Sequence, residues 1–336
     1  MENKTFSGRI DCIQILRVIA SIGVMLFHIQ CFYKTGLYLE FGVHLFFIIS
    51  GFLMVYTTQK KTQKYFIIKR IIRIVPLYWL MTWATYAALL LLPGLMTGDS
   101  SIEALIKSLF LIPHSRSGSR IDEAIRPLVG PAWTLYYEMF FTVIFAISMK
   151  ISHKYRGIIT GGVCLLLIII GLIFPFDNEI FIVYTRDYWA DFIVGIVVFY
   201  ILKALYDKKI SAFAEYSLLA GSLICMGIMC WGGFPEPRFL IFAALGMFTV
   251  VMFVMSFRSK KMPVFLVKMG DMSYSFYLIH YYVIIIVGKI VSLESFTPYS
   301  IIGTVMILIL TQILAFISYS IIEVRFSSLI KKKLKL

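Results

Sequence analysis

Charge is scarce in this chain. Only 15% of its 336 residues are Asp, Glu, Lys or Arg, where a soluble globular domain carries about a quarter. Acidic residues are the scarcer sign, 18 against 32 basic ones. Cysteines number five, and none stands in a Cys-x-x-C or Cys/His metal spacing, so a disulfide scaffold and a zinc module are both excluded. We read Cys12, Cys31, Cys164, Cys225 and Cys230 as reduced, buried and inert. These shortages also exclude a soluble fold and a disordered chain. What the chain has instead is apolar surface: 60% hydrophobic residues and a mean hydropathy of +0.87. The apolar runs are continuous and about 20 residues long, the length that crosses a ~30 Å hydrocarbon core. A β-barrel signal alternates and is weaker per segment. The fold class expected is all-α, a polytopic membrane protein.

Ten apolar segments are expected to span, at about 10–31, 41–57, 74–92, 131–149, 157–175, 188–205, 213–231, 238–256, 272–290 and 299–323. The first is long and carries Arg17 in its interior, unlike a cleaved signal peptide. With both termini cytoplasmic, 23 of the 32 basic residues fall inside, 8 outside, and Arg17 within a span. That is the positive-inside pattern. It accounts for the net charge of +14 without a nucleic-acid partner. The whole chain, 1–336, reads as a single transmembrane domain with no appended soluble domain.

The longest connection runs from about 93 to 130. Within it Ile102, Leu105, Ile106, Leu109 and Phe110 recur at helical spacing, which predicts a short helix lying on the outer membrane surface. His114 to Pro131 mixes Arg, Asp, Gly and Ser; it is either a lid over a site or an ordinary solvated loop. Internal repeats are not evident, which argues mildly against transporters built from inverted repeats.

Ionisable side chains inside apolar segments are functional candidates by default. Arg17 and His28 share the first span, 11 residues apart. At about 1.5 Å and 100° per residue they stand about 16 Å apart along the axis and about 20° apart around it. Both therefore lie on one stripe, Arg17 toward the cytoplasm and His28 toward the outside. Alternatively each snorkels to its own interface. Glu138, below Trp133 in the fourth span, reaches a depth similar to that of His28. It either orients the imidazole or makes a structural bond between helices. His280, in the ninth span, is a packed histidine or a substrate contact. The basic run Lys60 to Arg73 either reflects topology alone or places Arg70 and Arg73, at i and i+3 before the third span, against a cytoplasmic phosphate. His44 and Asp191 are expected at interfaces in contact with water, and Glu323 in an interfacial ion pair with Arg325.

Five stretches then resemble one family, the integral-membrane acyltransferase-3 family, which O-acetylates bacterial glycans. They are Arg17-x10-His28, the run 42–52 (Gly-Val-His-Leu-Phe-Phe-Ile-Ile-Ser-Gly-Phe), the run 70–79 (Arg-Ile-Ile-Arg-Ile-Val-Pro-Leu-Tyr-Trp), the run 131–141 (Pro-Ala-Trp-Thr-Leu-Tyr-Tyr-Glu-Met-Phe-Phe) and the run 273–280 (Ser-Tyr-Ser-Phe-Tyr-Leu-Ile-His). They occur in family order across most of the chain, and the fourth looks most like the exopolysaccharide acetyltransferase branch. His44 departs from the pattern, standing where many members have Asp. The chain also ends after its tenth span, without the extra span and extracytoplasmic esterase-like domain of two-domain members.

The resemblance implies a multi-pass enzyme of the bacterial cytoplasmic (inner) membrane. It would move an acetyl group from cytoplasmic acetyl-CoA to a glycan or lipid-linked glycan hydroxyl. Acetyl-CoA is then a donor substrate, and no cofactor or metal is bound permanently. The implied partners are the lipid bilayer, the acceptor and polysaccharide-synthesis machinery. In that frame Arg17, Arg70 and Arg73 meet the donor's phosphates. His28 acts as general base or transient acyl carrier, Glu138 orients it or balances its charge, and Trp133 and His280 contact substrate. The rival class is a transporter or flippase for a polysaccharide, since buried Arg, His and Glu serve proton coupling equally well. A structural subunit of a synthesis complex is the third reading.

Overall fold

A computed structural model describes residues 9–29, 39, 41–92, 98–115, 125–231, 234, 238–258, 260–291 and 301–334. Lys4, Cys31, Lys34, Arg116, Arg120, Lys335 and the middle of the expected lid, 116–124, lie outside the described residues. Those described are almost wholly helical. In chain order the helices are α1 (Asp11–His28), α2 (Phe41–Thr57), α3 (Gln63–Leu91), α4 (Ile102–Leu109), α5 (Thr134–Ile151), α6 (Arg156–Ile173), α7 (Glu179–Tyr184), α8 (Trp189–Leu205), α9 (Ala212–Trp231), α10 (Phe239–Phe257), α11 (Val264–Asp271), α12 (Ser273–Val291), α13 (Ile301–Ser318) and α14 (Ser327–Lys333). A 3-10 turn, Gly130–Trp133, leads into α5, and a π-helical stretch, Tyr319–Phe326, joins α13 to α14.

Eight stretches among the described residues are long and apolar enough to cross a membrane. They involve α1, α3, α5, α6, α7 with α8, α9, α10, and the run from α13 to α14. Helix α2 is equally apolar but has 17 residues. Helix α12 has 19 and carries His280, Lys289 and four tyrosines. The chain is thus a polytopic all-α membrane protein.

Two local outcomes differ from the sequence expectation. The third apolar segment was expected to begin at 74, after the basic cluster; α3 instead begins at Gln63, capped by Thr62, whose hydroxyl accepts from the Tyr65 amide at 3.3 Å. Hydropathy locates apolar surface, whereas a cap locates the helix end, so Arg70 and Arg73 stand inside the helix. Pro76 also lies within α3. It has no N–H for the Ile72 carbonyl, and the Ser327 hydroxyl donates to that carbonyl at 3.3 Å instead. The second difference is the π-helical stretch, which nothing in the apolar periodicity announces.

The short helix between α3 and α5 forms as expected, capped by Ser101, which accepts from the Ala104 amide at 3.1 Å. Its face is divided. Ala104 and Leu105 pack with Leu89 and Leu128, while Ile102, Ile106 and Phe110 remain exposed.

The contacts gather into two compact units. One comprises Met1–Lys61, Ile147–Ile168 and Asp187–Ser273; the other Thr62–Ala146, Ile169–Arg186 and Tyr274–Leu336. In the first unit, helices close on one another through missing side chains. A Cβ on Gly42 of α2 would run into the Ala20 carbonyl of α1, and Cβ atoms on Gly51 and Gly195 would drive α2 and α8 apart at Phe192 and Ile48. Small residues permit this backbone approach, a principal source of helix association in lipid. The second unit uses hydroxyls. From α12, Tyr274 donates to the Ile74 carbonyl at 2.8 Å, Tyr277 to the Pro131 carbonyl at 2.8 Å, and Ser275 to Glu323 at 2.6 Å. Tyr282 shares a hydrogen bond with Thr85 at 2.5 Å.

Candidate functional site

Helix α1 runs unbroken from Asp11 to His28, so the stripe computed from its period holds. Arg17 is buried and donates to the Gln14 side chain at 3.2 Å. His28, in the last turn, is half-buried, and its Nδ1 stands 2.8 Å from the Val24 carbonyl oxygen. A carbonyl only accepts, so Nδ1 is the donor. In the neutral ring the lone pair is then on Nε2, the form a base or nucleophile requires. At the start of α1, Arg9 holds Asp271 through two contacts, 3.0 and 2.9 Å, and Asp11 at 2.7 Å. Burial alone would lower the Arg9 pKa; the bonds to and charges of Asp271 and Asp11 outweigh it and raise it.

The first unit also contains a pair that the sequence reading left unconnected. His44 Nδ1 lies 2.7 Å from Asp191 Oδ2, with both side chains buried. Both residues were expected in contact with water. The expectation failed because each sits within a turn of a helix start, where hydropathy alone cannot tell an interface from a packed end. Aspartate there gains from the free amides of the helix N-terminus. The glycines that let α2 and α8 touch were the available signal that two helices so far apart in sequence are neighbours.

In the second unit, Arg70 of α3 meets Glu138 of α5, Nη2 to Oε1 at 2.5 Å. The Nε of Arg70 is buried and has no hydrogen-bond partner among the described residues. Arg73, one turn on, is exposed. Trp133 is half-buried in the turn before α5, its ring edge-on to Tyr137 at 5.9 Å between centroids. His280 is fully buried and sits by Phe276 and Tyr277, at 6.4 and 5.8 Å between centroids, the surroundings of a packed histidine. Tyr277 ties that aromatic group to the Trp133 turn: its hydroxyl donates to Pro131 and accepts from Thr134 at 3.2 Å. Glu323, expected beside Arg325, accepts from Ser275 in the π-helical stretch. So the residues fall into two groups, Arg17 and His28 in the first unit, and Arg70, Arg73, Glu138, Trp133 and His280 in the second.

Residues 10–318 match the family profile described as an acyltransferase domain. The chain is also similar to the exopolysaccharide production protein ExoZ of Rhizobium meliloti (strain 1021). The two are 33% identical over 279 residues, which cover 79% of this chain and 83% of that protein. No solved structure matches it.

Proposed function

Since the chain belongs to the acyltransferase-3 family of membrane proteins, we propose that it is an O-acetyltransferase of the bacterial inner membrane, carrying acetyl from cytoplasmic acetyl-CoA to a hydroxyl of an exported or surface polysaccharide. The acceptor class draws on the relative named for exopolysaccharide production. One observation carries the reading: a buried Arg70 Nε–H without a partner among the described residues, on a guanidinium that meets Glu138 through Nη2, with the exposed Arg73 one turn on. Such a group lacks an anion with several acceptor oxygens, which a phosphate supplies.

Arg70 and Arg73 hold a phosphate of the donor, and Glu138 sets the Arg70 guanidinium in place. Arg17 adds a fixed cation on the His28 stripe. His28 supplies the reacting nitrogen, Nε2. It takes the proton of the acceptor hydroxyl as that oxygen attacks the thioester, or it receives the acyl group first. In both routes the C–S bond breaks, an ester C–O bond forms, and CoA leaves with the proton the hydroxyl has lost. Trp133 stacks on a sugar ring, in a turn that the Tyr277 hydroxyl ties at Pro131, and His280 adds a substrate contact.

Purified protein given acetyl-CoA and alkali-deacetylated polysaccharide of the host tests the reading. CoA release that requires the polysaccharide to continue, together with acetyl ester on the product, is the expected result. Intact acetyl-CoA after prolonged incubation, with polysaccharide movement across vesicles, would replace it by transport.

A further inference from the structure

Cations gather at one end of the second unit without carboxylates to meet them. Three hydroxyls set the register there between α3 and the C-terminal run. Tyr274 donates to the Ile74 carbonyl, its neighbour Ser275 donates to Glu323, and Ser327 donates to the Ile72 carbonyl. From Glu323 to Ser327 the level on α3 thus steps back from Ile74 to Ile72, so the two run antiparallel. Beyond Ser327 the chain continues as α14. At about 1.5 Å per residue, Lys331 and Lys333 lie about 6 and 9 Å further on, level with Ile68 and Phe66 of α3. Lys64 and Lys69 flank that level, about 80° and 60° to either side of the Ile72 stripe at about 100° per residue. Lys64, Lys69, Arg325, Lys332 and Lys333 are exposed, and Lys331 is half-buried. Among the described residues none of these six pairs with an acid. The carboxylates of Glu138 and Glu323 are engaged by Arg70 and Ser275. The Lys69 ammonium stands 5.8 Å from the centroid of the Tyr65 ring instead.

Topology accounts for basic residues near the ends of spans. It does not account for their apposition. The Ser327–Ile72 bond joins positions 255 residues apart in sequence, and it brings one basic segment level with another. Like charges so placed repel unless an anion sits among them. A second observation says which anion. Leu329 is exposed and lies on α14 between Lys332 and Lys333, about 60° from one and about 40° from the other. Phe326 and Leu334 are exposed on either side of it in sequence. A water-soluble polyanion makes no use of apolar side chains interleaved with lysines. A phospholipid does, with its phosphate at the ammonium groups and its acyl chains against the leucine and phenylalanine.

We infer that this end of the second unit is a binding site for anionic phospholipid. The headgroup phosphates lie among Lys64, Lys69, Lys331, Lys332 and Lys333, and the acyl chains cover Phe326 and Leu329. Each lysine adds attraction that acts within about a Debye length and is screened by salt. A lipid seated there straps the start of α3 to α14, adding to the Ser327–Ile72 bond. The site makes no use of the transfer chemistry above and stands or falls apart from it.

The test uses the full chain, purified in neutral detergent and stripped of lipid. It is offered dioleoylphosphatidylglycerol and dioleoylphosphatidylcholine in equal amounts, and native mass spectrometry counts the lipids retained. Wild type is expected to prefer the anionic lipid about tenfold at low salt and about twofold or less in ~0.5 M salt. Lys331→Gln, Lys332→Gln and Lys333→Gln combined should reduce the low-salt preference to about twofold, and Lys64→Gln should fall between. Lys203→Gln, Lys208→Gln and Lys209→Gln combined neutralise exposed lysines of the first unit and should leave the preference at about tenfold. Phosphatidylglycerol should raise the melting temperature of wild type and not that of the α14 triple variant. Equal melting temperatures of these two without lipid establish that the variant is folded. If it is not, the same three positions changed to Arg must keep the preference, and the salt dependence of wild type decides. A wild type with no preference, or with one indifferent to salt, would overturn the site. So would equal losses in the two triple variants, which mark a general attraction to basic loops. Displacement of the retained phosphatidylglycerol by about a tenfold excess of CoA would assign these lysines to the donor instead.

Discussion

The two units solve the same problem, holding polar groups among apolar helices, with different emphasis. The first is closed at glycines that let one backbone rest on another, with the Arg156 bonds to Val55 and Thr58 and the Arg9–Asp271 pair beside them. His28 and His44 there each stand with Nδ1 at hydrogen-bonding distance from an oxygen. The second is tied by the hydroxyls of α12, which reach α3 at Ile74 and Thr85, the turn before α5 at Pro131 and the π-helical stretch at Glu323. There the buried Arg70 Nε–H has no partner among the described residues. Packing by absence leaves side chains for proton chemistry; packing by hydrogen bonds surrounds a cationic group with fixed partners. In both units the groups left over from packing are the candidates for function.

The sharpest break in this comparison is expected at the glycines. Gly51→Leu inserts a side chain against the Phe192 backbone, and overpacking of a site with no flexible neighbour costs about 3 kcal/mol or more. Loss of a monodisperse folded protein in detergent, or a large fall in melting temperature, is the expected reading. Next comes Arg70. Replacing it by Ala strips Glu138 of this partner and removes a charge-assisted contact to the donor, with KM for acetyl-CoA rising roughly tenfold to a hundredfold. Arg70→Lys keeps the charge and recovers little of this, because the fork geometry is lost. Arg73→Ala should raise KM only a few-fold, with an effect that fades in high salt because the group is exposed. Smallest is Tyr277→Phe. It removes the bond to Pro131 and the one from Thr134, two among several in the second unit, at about 1 kcal/mol together. Its melting temperature should fall slightly while KM for acetyl-CoA is unchanged. A Tyr277→Phe loss as large as that of Gly51→Leu would erase the contrast between the units.

Much of the fold was legible because bilayer thickness imposes a long apolar period, and α1, α2 and α8 follow it closely. The short α4 was legible from spacing and its serine cap. The start of α3 was not, since a basic helical turn at a membrane edge has no apolar face to read. Arg17, His28, Arg70 and Glu138 stood out as charges in apolar segments. Their partners did not. The Arg70–Glu138 and His44–Asp191 pairs join helices 68 and 147 residues apart, and no local pattern encodes that distance. Glu323 likewise accepts from Ser275, 48 residues away.

The central claim is acetyl transfer dependent on His28. It is tested most directly on cells expressing the wild-type chain, His28→Ala at matched level, or neither. Ester-linked acetyl on surface and secreted polysaccharide is measured by proton NMR before and after mild alkali. The account predicts acetyl signals lost on alkali in the wild type alone. Equal acetyl in all three, or full acetylation with His28→Ala, would contradict it.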